Sequence, residues 1–398
     1  MNSQQKIEEW IKQAEARPEG ALMILKLIAG RLRDLSERDE ELVAENIALQ
    51  NGRQVEEYQK RIAHLEYQLD LLKRRFGEGA LESALLEPGL PAAEQFSVLV
   101  YHASGRIIRL NAGRPELTDR TVLGQISGSI SPRNEWPRLL VVRPEEELLL
   151  LFNSGRVSTC PVSQIPVLET GGSWFWEQGA LPDEPHGGEL LSSLMPLTSL
   201  PLADFFMQVS RRGCIKKTMT AVGESILSNH FMGRGTVQKA DQPFDARLCY
   251  KKDRLALVTY EGRLLALDVD EPGYSAEERI RLEPHDHVVS TCILEQGGLL
   301  MCLTQTGKVV SREADSIELS RSANTRGQAL ISPARLDQGT RFVAAAGLRE
   351  SDAVLVLDGA GRLTVHAYRE LGGAGRLPEE GLVLALGVIP GAPEESRS

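Results

Sequence analysis

Basic side chains recur at one point of a phrase that is repeated along the chain. The phrase is an apolar run, a tight turn containing Gly, a basic residue and a second apolar run. In five copies the residue directly after the turn Gly is basic: Arg106, Arg156, Arg263, Lys308 and Arg362. Guanidinium and ammonium groups bind phosphate oxygens by charge and hydrogen bonding, without reading a base. The repeated residues therefore offer contacts to phosphate groups at a regular interval.

The third copy of the phrase is the richest in charge. There Arg211 and Arg212 precede the turn Gly213, and Lys216 and Lys217 come three and four residues after it. Three further cations near the third and fifth copies extend these clusters: Arg234, Arg312 and Arg326. These clusters are the strongest candidates for binding an anionic polymer.

Catalytic and metal chemistry has little support in the sequence. His285-Asp286-His287 offers two imidazoles and a carboxylate, but no further Cys or His lies close by in the chain to complete a metal site. No P-loop, nucleophile-elbow or HExxH motif occurs. We predict a protein that is not an enzyme and binds no cofactor or metal.

The repeated phrase is typical of a β-hairpin. Gly adopts the positive φ that a tight hairpin turn requires, and an apolar run on each side supplies a strand. The turn glycines, from Gly105 to Gly361, are 45 to 58 residues apart, a spacing typical of radial β-blades. Six copies therefore predict six blades over residues 96–390, and a mainly β fold for this region. A polar tail, 391–398, follows.

One segment interrupts this rhythm between the second and third copies. Residues 169–200 are rich in Gly and Pro and hold Trp174 and Trp176. The two indoles are either a stacking platform for bases or an aromatic plug over a blade interface. We favour the plug, because no Lys or Arg lies between Gln164 and Arg211.

The N-terminal region has a different pattern. Apolar residues alternate at spacings of three and four over most of residues 1–76, which predicts a long α-helical coiled coil. Asn46 occupies a seam position, a device that fixes register in two-stranded coils. We expect a parallel homodimer; an intramolecular helical hairpin and a solvated single helix are the alternatives. Residues 77–95 form a linker with Gly and Pro.

Bulk properties restrict the remaining classes. The 398 residues carry a formal net charge of −10, so cationic binding surfaces must be local. Five cysteines, an odd number without a C-x-x-C pair, are expected to be reduced core residues. We find no apolar stretch of membrane-spanning length and no export signal. We therefore expect a soluble, cytoplasmic protein with no membrane partner.

Two of the copies resemble a known family. Two segments are similar to blades of the C-terminal domain of DNA gyrase A and of its topoisomerase IV counterpart. They are Gln208-Val209-Ser210-Arg211-Arg212-Gly213-Cys214-Ile215-Lys216-Lys217-Thr218 and Leu303-Thr304-Gln305-Thr306-Gly307-Lys308-Val309-Val310-Ser311-Arg312. The resemblance covers about residues 96–390. It implies a six-bladed β-pinwheel, a disc whose basic rim bends duplex DNA around itself.

The departures from this family limit what the resemblance implies. The basic heptad called the gyrase box, on which tight wrapping depends in the family, has no intact copy here; Gly233-Arg234-Gly235 is a fragment of it. The breakage-reunion region with its catalytic Tyr is also missing from this sequence. No strand cleavage is expected from this chain.

These observations predict a non-catalytic, sequence-independent DNA-binding or DNA-bending protein that dimerises through its coiled coil and associates with the nucleoid. The alternative is a protein-interaction scaffold, or an accessory subunit of a topoisomerase or chromosome-organising complex, whose pinwheel does not bind DNA. The predicted contacts to double-stranded DNA are Arg106, Arg156, Arg211, Arg212, Lys216, Lys217, Arg234, Arg263, Lys308, Arg312, Arg326 and Arg362.

Overall fold

The computed structural model describes residues 95–113, 120–127, 136–168, 174–176, 179–368, 375–377 and 381–391. All of them belong to the second of two units into which the chain divides, Leu90–Ser398. The coiled coil predicted for 1–76 lies outside the described residues, as do 77–94 of the linker and 392–398 of the tail.

Six sheets form in the described residues, and each has a middle, an outer and an inner strand that pair antiparallel. Strands are numbered in chain order. The middle strands are β1 (Gln95–Tyr101), β5 (Glu147–Phe152), β10 (Phe205–Ser210), β13 (Arg254–Thr259), β17 (Leu299–Thr304) and β21 (Ala353–Asp358). The outer strands are β2 (Ile107–Gly113), β6 (Val157–Pro161), β11 (Cys214–Met219), β14 (Arg263–Asp268), β18 (Val309–Glu313) and β22 (Arg362–Ala367). The inner strands are β4 (Arg138–Val142), β9 (Leu191–Pro196), β12 (Pro243–Cys249), β16 (Val288–Leu294), β20 (Phe342–Leu348) and β23 (Val383–Ile389).

Each middle strand turns into its outer strand at the glycine of the repeated phrase, as predicted. The six glycines have φ between +75° and +96°, where a Cβ is disfavoured. Buried polar side chains at the ends of four middle strands fix the turn: Thr259 Oγ1, for example, accepts the Arg263 N–H at 2.9 Å, and Thr304 Oγ1 accepts that of Lys308 at 3.0 Å. A short local sequence therefore determines each hairpin.

Neighbouring blades exchange backbone hydrogen bonds. Each turn glycine accepts, through its carbonyl oxygen, an N–H from the following blade at 2.8 to 3.2 Å; the donors are Leu181, Met232, Arg279, Leu330, Leu377 and, for Gly361, Ile126. Four outer strands pair with a short strand of the following blade. In the other two blades the contact is an isolated bridge directly before the outer strand, at Arg156 and at Lys308. The short strands are β3 (Val122–Ser127), β7 (Val167–Leu168), β15 (Glu277–Glu278) and β19 (Gln328–Ala329), while β8 (Trp174–Phe175) extends β3.

The six blades close into a ring, because β3 of the first blade pairs with β22 of the last. Six hydrophobic clusters, one at each blade interface, fill the ring. Alternate residues of one strand serve opposite neighbours: Val98 and Val100 of β1 pack against the sixth blade, and Leu99 and Tyr101 against the second. The middle strands are therefore buried on both faces, which explains their continuous apolar runs.

Within the described residues the helices are short and lie in the connections between strands. They are α1 (Gly223–Asn229) and α2 (Pro333–Asp337), with 3-10 turns at Val162–Gln164, Leu197–Leu202, Thr220–Val222 and Ala314–Ser316. None of the described helices has the length and apolar character needed to cross a membrane. Each of the five cysteines is buried and unpaired, as the sequence predicts.

Ring closure gives a stability prediction. A Cβ on Gly361 would lie 2.0 Å from the Ile126 carbonyl oxygen, and its φ is +81°. Gly188 has a similar φ of +91° and no atom within 4 Å of such a Cβ. We expect Gly188→Ala to cost about 1 kcal/mol, through its backbone conformation alone. Gly361→Ala should cost about 3 kcal/mol or more, because β3 must also move. Urea unfolding of both variants measures the difference, and equal losses would contradict this account of closure.

Candidate nucleic-acid interface

The antiparallel pairing places the six hairpin turns at one end of the ring. We call this end the hairpin face; it comprises residues 102–106, 153–156, 211–213, 260–263, 305–308 and 359–362. The opposite face carries the short connections from each inner strand to the next middle strand, at residues 143–146, 197–204, 250–253, 295–298 and 349–352. Every blade therefore presents its post-glycine residue on the same side.

Charge is distributed unequally between the two faces. The hairpin turns hold seven Lys or Arg residues and one acidic residue, Glu261. The connections of the opposite face hold seven carboxylates and four cations. The hairpin turns of an acidic chain thus carry an excess of positive charge, which attracts polyanions to them.

The predicted contact residues differ in how far they reach solvent. Four of them are exposed: Arg234, Arg312, Arg326 and Arg362. Five are half-buried with part of the side chain accessible: Arg106, Arg211, Lys216, Arg263 and Lys308. Arg362 also donates to the buried carboxylate of Asp358 at 2.8 Å, yet 44% of its side chain remains exposed.

Two other predicted contact residues bind groups of the protein itself through their guanidinium groups. Arg156 lies between two carboxylates, 2.6 Å from Asp183 and 3.0 Å from Glu189, and its guanidinium stacks 3.7 Å above the Phe152 ring. Arg212 donates to the backbone oxygens of the loop that precedes β16, at 2.6 to 3.0 Å: those of Leu282, Glu283 and Asp286. In this arrangement neither guanidinium is available to a phosphate.

Lys217 is buried, which corrects its placement on a binding surface. Only 6% of its side chain is exposed; Nζ donates to the Asp270 carbonyl oxygen at 2.9 Å and lies 4.9 Å from the Phe205 ring centroid. The cause is strand parity. Consecutive residues of a strand point to opposite faces, so Lys216 and Lys217 of β11 cannot both face solvent.

The fragment Gly233-Arg234-Gly235 lies against the third blade. The Gln208 side chain donates to the Gly233 carbonyl oxygen at 3.0 Å, and a Cβ on Gly233 would lie 3.5 Å from Lys216 Nζ. The Arg234 guanidinium donates to the backbone oxygens of Asn153 and Asp241, at 3.3 Å each. It therefore links the second blade to the third.

The repeated phrase did not predict two exposed cations, Arg281 and Arg376, that lie where one blade pairs with the next. Arg376 is exposed and forms an isolated backbone bridge with Lys308. Arg281 donates its N–H to Thr325 at 2.7 Å, one residue from Arg326. Neither position follows the repeated phrase, so no local signal marks them.

Two other candidate sites have structural roles. Asp286 of the His-Asp-His segment is buried and accepts hydrogen bonds from Thr259 Oγ1 and from two backbone N–H groups. The described residues contain no group of three potential metal ligands. Trp176 packs in the cluster between the first and sixth blades, as the plug interpretation of that segment predicts.

Asp245 organises the charge at the centre of the ring. Its carboxylate accepts hydrogen bonds from Ser193 of the second blade and Thr291 of the fourth, and pairs with Arg247 at 3.0 Å. Burial raises the pKa of Asp245, but Arg247, Arg138 and the two hydroxyls outweigh burial and hold the pKa below its usual 3.8. One ionised carboxylate thus connects three blades.

This pKa gives a pH prediction. Because the folded pKa lies below the unfolded one, the stabilisation is complete above about pH 5 and is lost as pH falls through the folded pKa. We expect Asp245→Asn to lower stability at pH 7 by about 2 kcal/mol and to flatten the decline of stability below about pH 5. Urea unfolding across this range measures both effects, with exposed Asp337→Asn as the control. An unchanged acid limb would contradict the assignment.

Comparison with known proteins supports the fold. No family model and no curated protein matches the chain. Among solved structures, the DNA gyrase A C-terminal domain superposes with a TM-score of 0.52 at 13% identity, covering 74% of this chain and 100% of that one. The C-terminal domain of DNA topoisomerase IV has a TM-score of 0.48 at 18% identity, covering 75% and 94%. The E. coli ParC C-terminal domain has 0.33 at 10%, covering 74% and 99%. The ring described here therefore has the β-pinwheel fold of the DNA gyrase A C-terminal domain, as the sequence predicts.

Proposed function

We propose that this protein is a non-catalytic, sequence-independent DNA-binding protein whose pinwheel holds bent duplex DNA against its hairpin face. The observation that carries the proposal is that a cation directly follows the turn Gly in five of the six blades, and that these five cations lie on one face. The solved structure with the same fold is a domain of DNA gyrase, a protein whose name indicates that it acts on DNA.

The arrangement of the cations favours binding of a bent duplex along the ring over binding at one short site. Blades follow one another around a ring, so the cations lie on a curve. A duplex that follows the curve meets a cation in every blade except the second, where two carboxylates hold Arg156. Contacts of this kind neutralise phosphates and depend on DNA deformability; they do not depend on base identity. Arg106, Lys216, Arg263, Lys308 and Arg362 are the contacts we assign to this path.

We also propose that residues 1–76 pair two chains, which would present two pinwheels to DNA. Joining two weak sites raises their effective concentration and lets them hold separate DNA segments together. The cytoplasm, at the nucleoid, is the compartment that this activity requires.

Salt dependence tests the proposal. Five phosphate contacts should give a slope of about −4.5 in log affinity against log salt, since each contributes about 0.9. Fluorescence anisotropy of the full chain with several duplexes of equal length and different sequence, between 50 and 200 mM salt, would measure it. Similar affinities with this slope support the proposal; no binding at the lowest salt overturns it.

A second candidate is the protein-interaction scaffold or topoisomerase accessory subunit. It is favoured by exposed apolar side chains on or beside the opposite face near the third blade: Leu202, Met219, Val222 and Tyr250, each 45% exposed or more. Met219 pairs with Phe205, and Thr220 Oγ1 donates to Ala203 O, so the first three lie close together. Should DNA binding be absent, this surface is where partner contacts are expected.

A further inference from the structure

One exposed aromatic residue lies beside the row of residues that follow the turn glycines. Phe231 of the third blade pairs antiparallel with Arg156, the post-glycine residue of the second blade, and Phe231 is 55% exposed. Residues that pair directly across antiparallel strands lie side by side on the same face. Phe231 is therefore at the edge of the hairpin face, next to a predicted phosphate contact.

Four other blades have a small or polar residue at the position of Phe231. The residue that pairs there with the first residue after the turn Gly is Glu278, Ala329, Arg376 or Gln125. Pairing between neighbouring blades thus forms without an aromatic side chain. The exposed ring of Phe231 is not needed to hold the second and third blades together.

The surrounding backbone holds Phe231 in place. The Phe231 N–H donates to the Ile226 carbonyl oxygen of α1 at 3.2 Å, and the Met232 N–H donates to that of Gly155 at 2.9 Å. Ile226 and Met232 are buried in the cluster between the second and third blades. A Cβ on Gly155 would lie 2.7 Å from Phe231 Cε2, so the hairpin turn supports one edge of the ring. The ring is therefore preorganised for contact with a ligand.

The charges around Phe231 place it between two blades with different contacts. Arg156 of the second blade is held by Asp183 and Glu189. On the side of the third blade, a Cβ on Gly233, two residues after Phe231, would lie 3.5 Å from Lys216 Nζ. A duplex that reaches this point from the third blade therefore meets a cation and then an apolar ring.

We propose that Phe231 is an apolar wedge that inserts between two base pairs from the minor groove. The proposal rests on the DNA-binding function proposed above. Phe is among the side chains that unstack a base step in this way, and such a wedge turns the duplex toward its major groove, away from the protein. The second blade is then the point at which a duplex that follows the other five blades leaves the ring.

An inserted ring makes affinity depend on how easily two bases separate. A mismatched base pair costs less to unstack than a matched one. The phosphate contacts are the same in both kinds of duplex, because they do not depend on the bases. A preference for a mismatched duplex is therefore a property of the wedge and not of the cations.

Fluorescence anisotropy of the full chain tests the proposal with two duplexes of equal length, one fully matched and one with a single central mismatch. We expect the wild-type chain to bind the mismatched duplex about tenfold more tightly. Phe231→Ala should bind both duplexes equally, with its affinity for the matched duplex unchanged within about threefold because the phosphate contacts remain. Leu202→Ala, at a 67% exposed position beside the opposite face, is the matched control and should keep the preference.

Two further variants separate insertion from a structural effect. Phe231→Leu keeps an apolar wedge and should keep the preference for the mismatch. Phe231→Gln keeps a side chain over Gly155 but makes it polar, and should lose the preference. Both variants keep the proposal testable if Phe231→Ala does not fold.

The possible outcomes distinguish failure of the wedge from failure of DNA binding. Equal affinity of the wild-type chain for both duplexes, or a preference that survives in Phe231→Ala, would overturn the wedge and leave DNA binding in place. No binding of either duplex would overturn both. A 2-aminopurine beside the mismatch fluoresces more when it leaves the base stack, so its signal should rise with the wild-type chain and with Phe231→Leu. An equal rise with Phe231→Ala would assign the unstacking to another group and contradict the proposal.

Discussion

Replacing Arg106, Lys216, Arg263 and Lys308 together by Gln is expected to weaken duplex binding about four thousandfold at 0.1 M salt. Each lost contact removes about 0.9 from the magnitude of the salt slope, which is close to one decade of affinity at this ionic strength. The slope should therefore fall by about 3.6. All four residues lie on the strand edges and turns of the hairpin side and are half-buried at most, so the fold should tolerate the change.

The matched control removes the same net charge from the other side. Replacing Arg143, Lys251, Lys252 and Arg349 by Gln takes all four cations from the connections of the opposite face. Affinity should then change by less than about threefold, because distant surface charges are screened within about 10 Å at 0.1 M salt. Equal losses in both variants would mean that net charge, and not the hairpin face, governs binding.

Releasing Arg156 is expected to strengthen DNA binding. Asp183→Asn/Glu189→Gln removes the two carboxylates that occupy its guanidinium, and should raise the slope magnitude by about 0.9 and the affinity at 0.1 M salt nearly tenfold. Burial raises the pKa of Asp183, but hydrogen bonds from Ser158 and Arg156 lower it below its usual value. The Glu189 pKa is lowered in the same way, with burial opposed first by Ser154. Both groups are therefore ionised at neutral pH.

A matched variant separates this effect from a general loss of negative charge. Glu145→Gln/Glu350→Gln removes two carboxylates from the opposite face and should leave the slope unchanged. If the Asp183 and Glu189 variant behaves like this control while the wild-type chain binds DNA, the second blade does not lie on the DNA path. The segment that supplies both carboxylates would then have a structural role alone.

The hairpins could be predicted because their information is local. A turn Gly flanked by two apolar runs determines the bend wherever it occurs, and all six bends form at the predicted glycines. The described strands run from Gln95 to Ile389. The coiled coil of 1–76 is still a prediction.

Whether each cation is available to a ligand was harder to predict. Arg156 follows its turn Gly like its counterparts, but the carboxylates that hold it are 27 and 33 residues further along, in a connection whose path has no periodic pattern. Lys217 is a different case, since the alternation of β11 already implied that one of two adjacent lysines is buried. The position of Arg376 beside Lys308 depends on the backbone bridge between two blades, which no single repeat encodes.

By itself, the sequence determined the number of blades, the position of every hairpin and the mainly β class, because Gly turns and apolar runs act over a few residues. Tertiary structure alone decided that the post-glycine cations share one face, that two carboxylates neutralise Arg156, and that Asp245 connects three blades. The physical reason is that charge acts through space. The distances that set its strength join residues of different blades, and these distances exist only after the ring has closed.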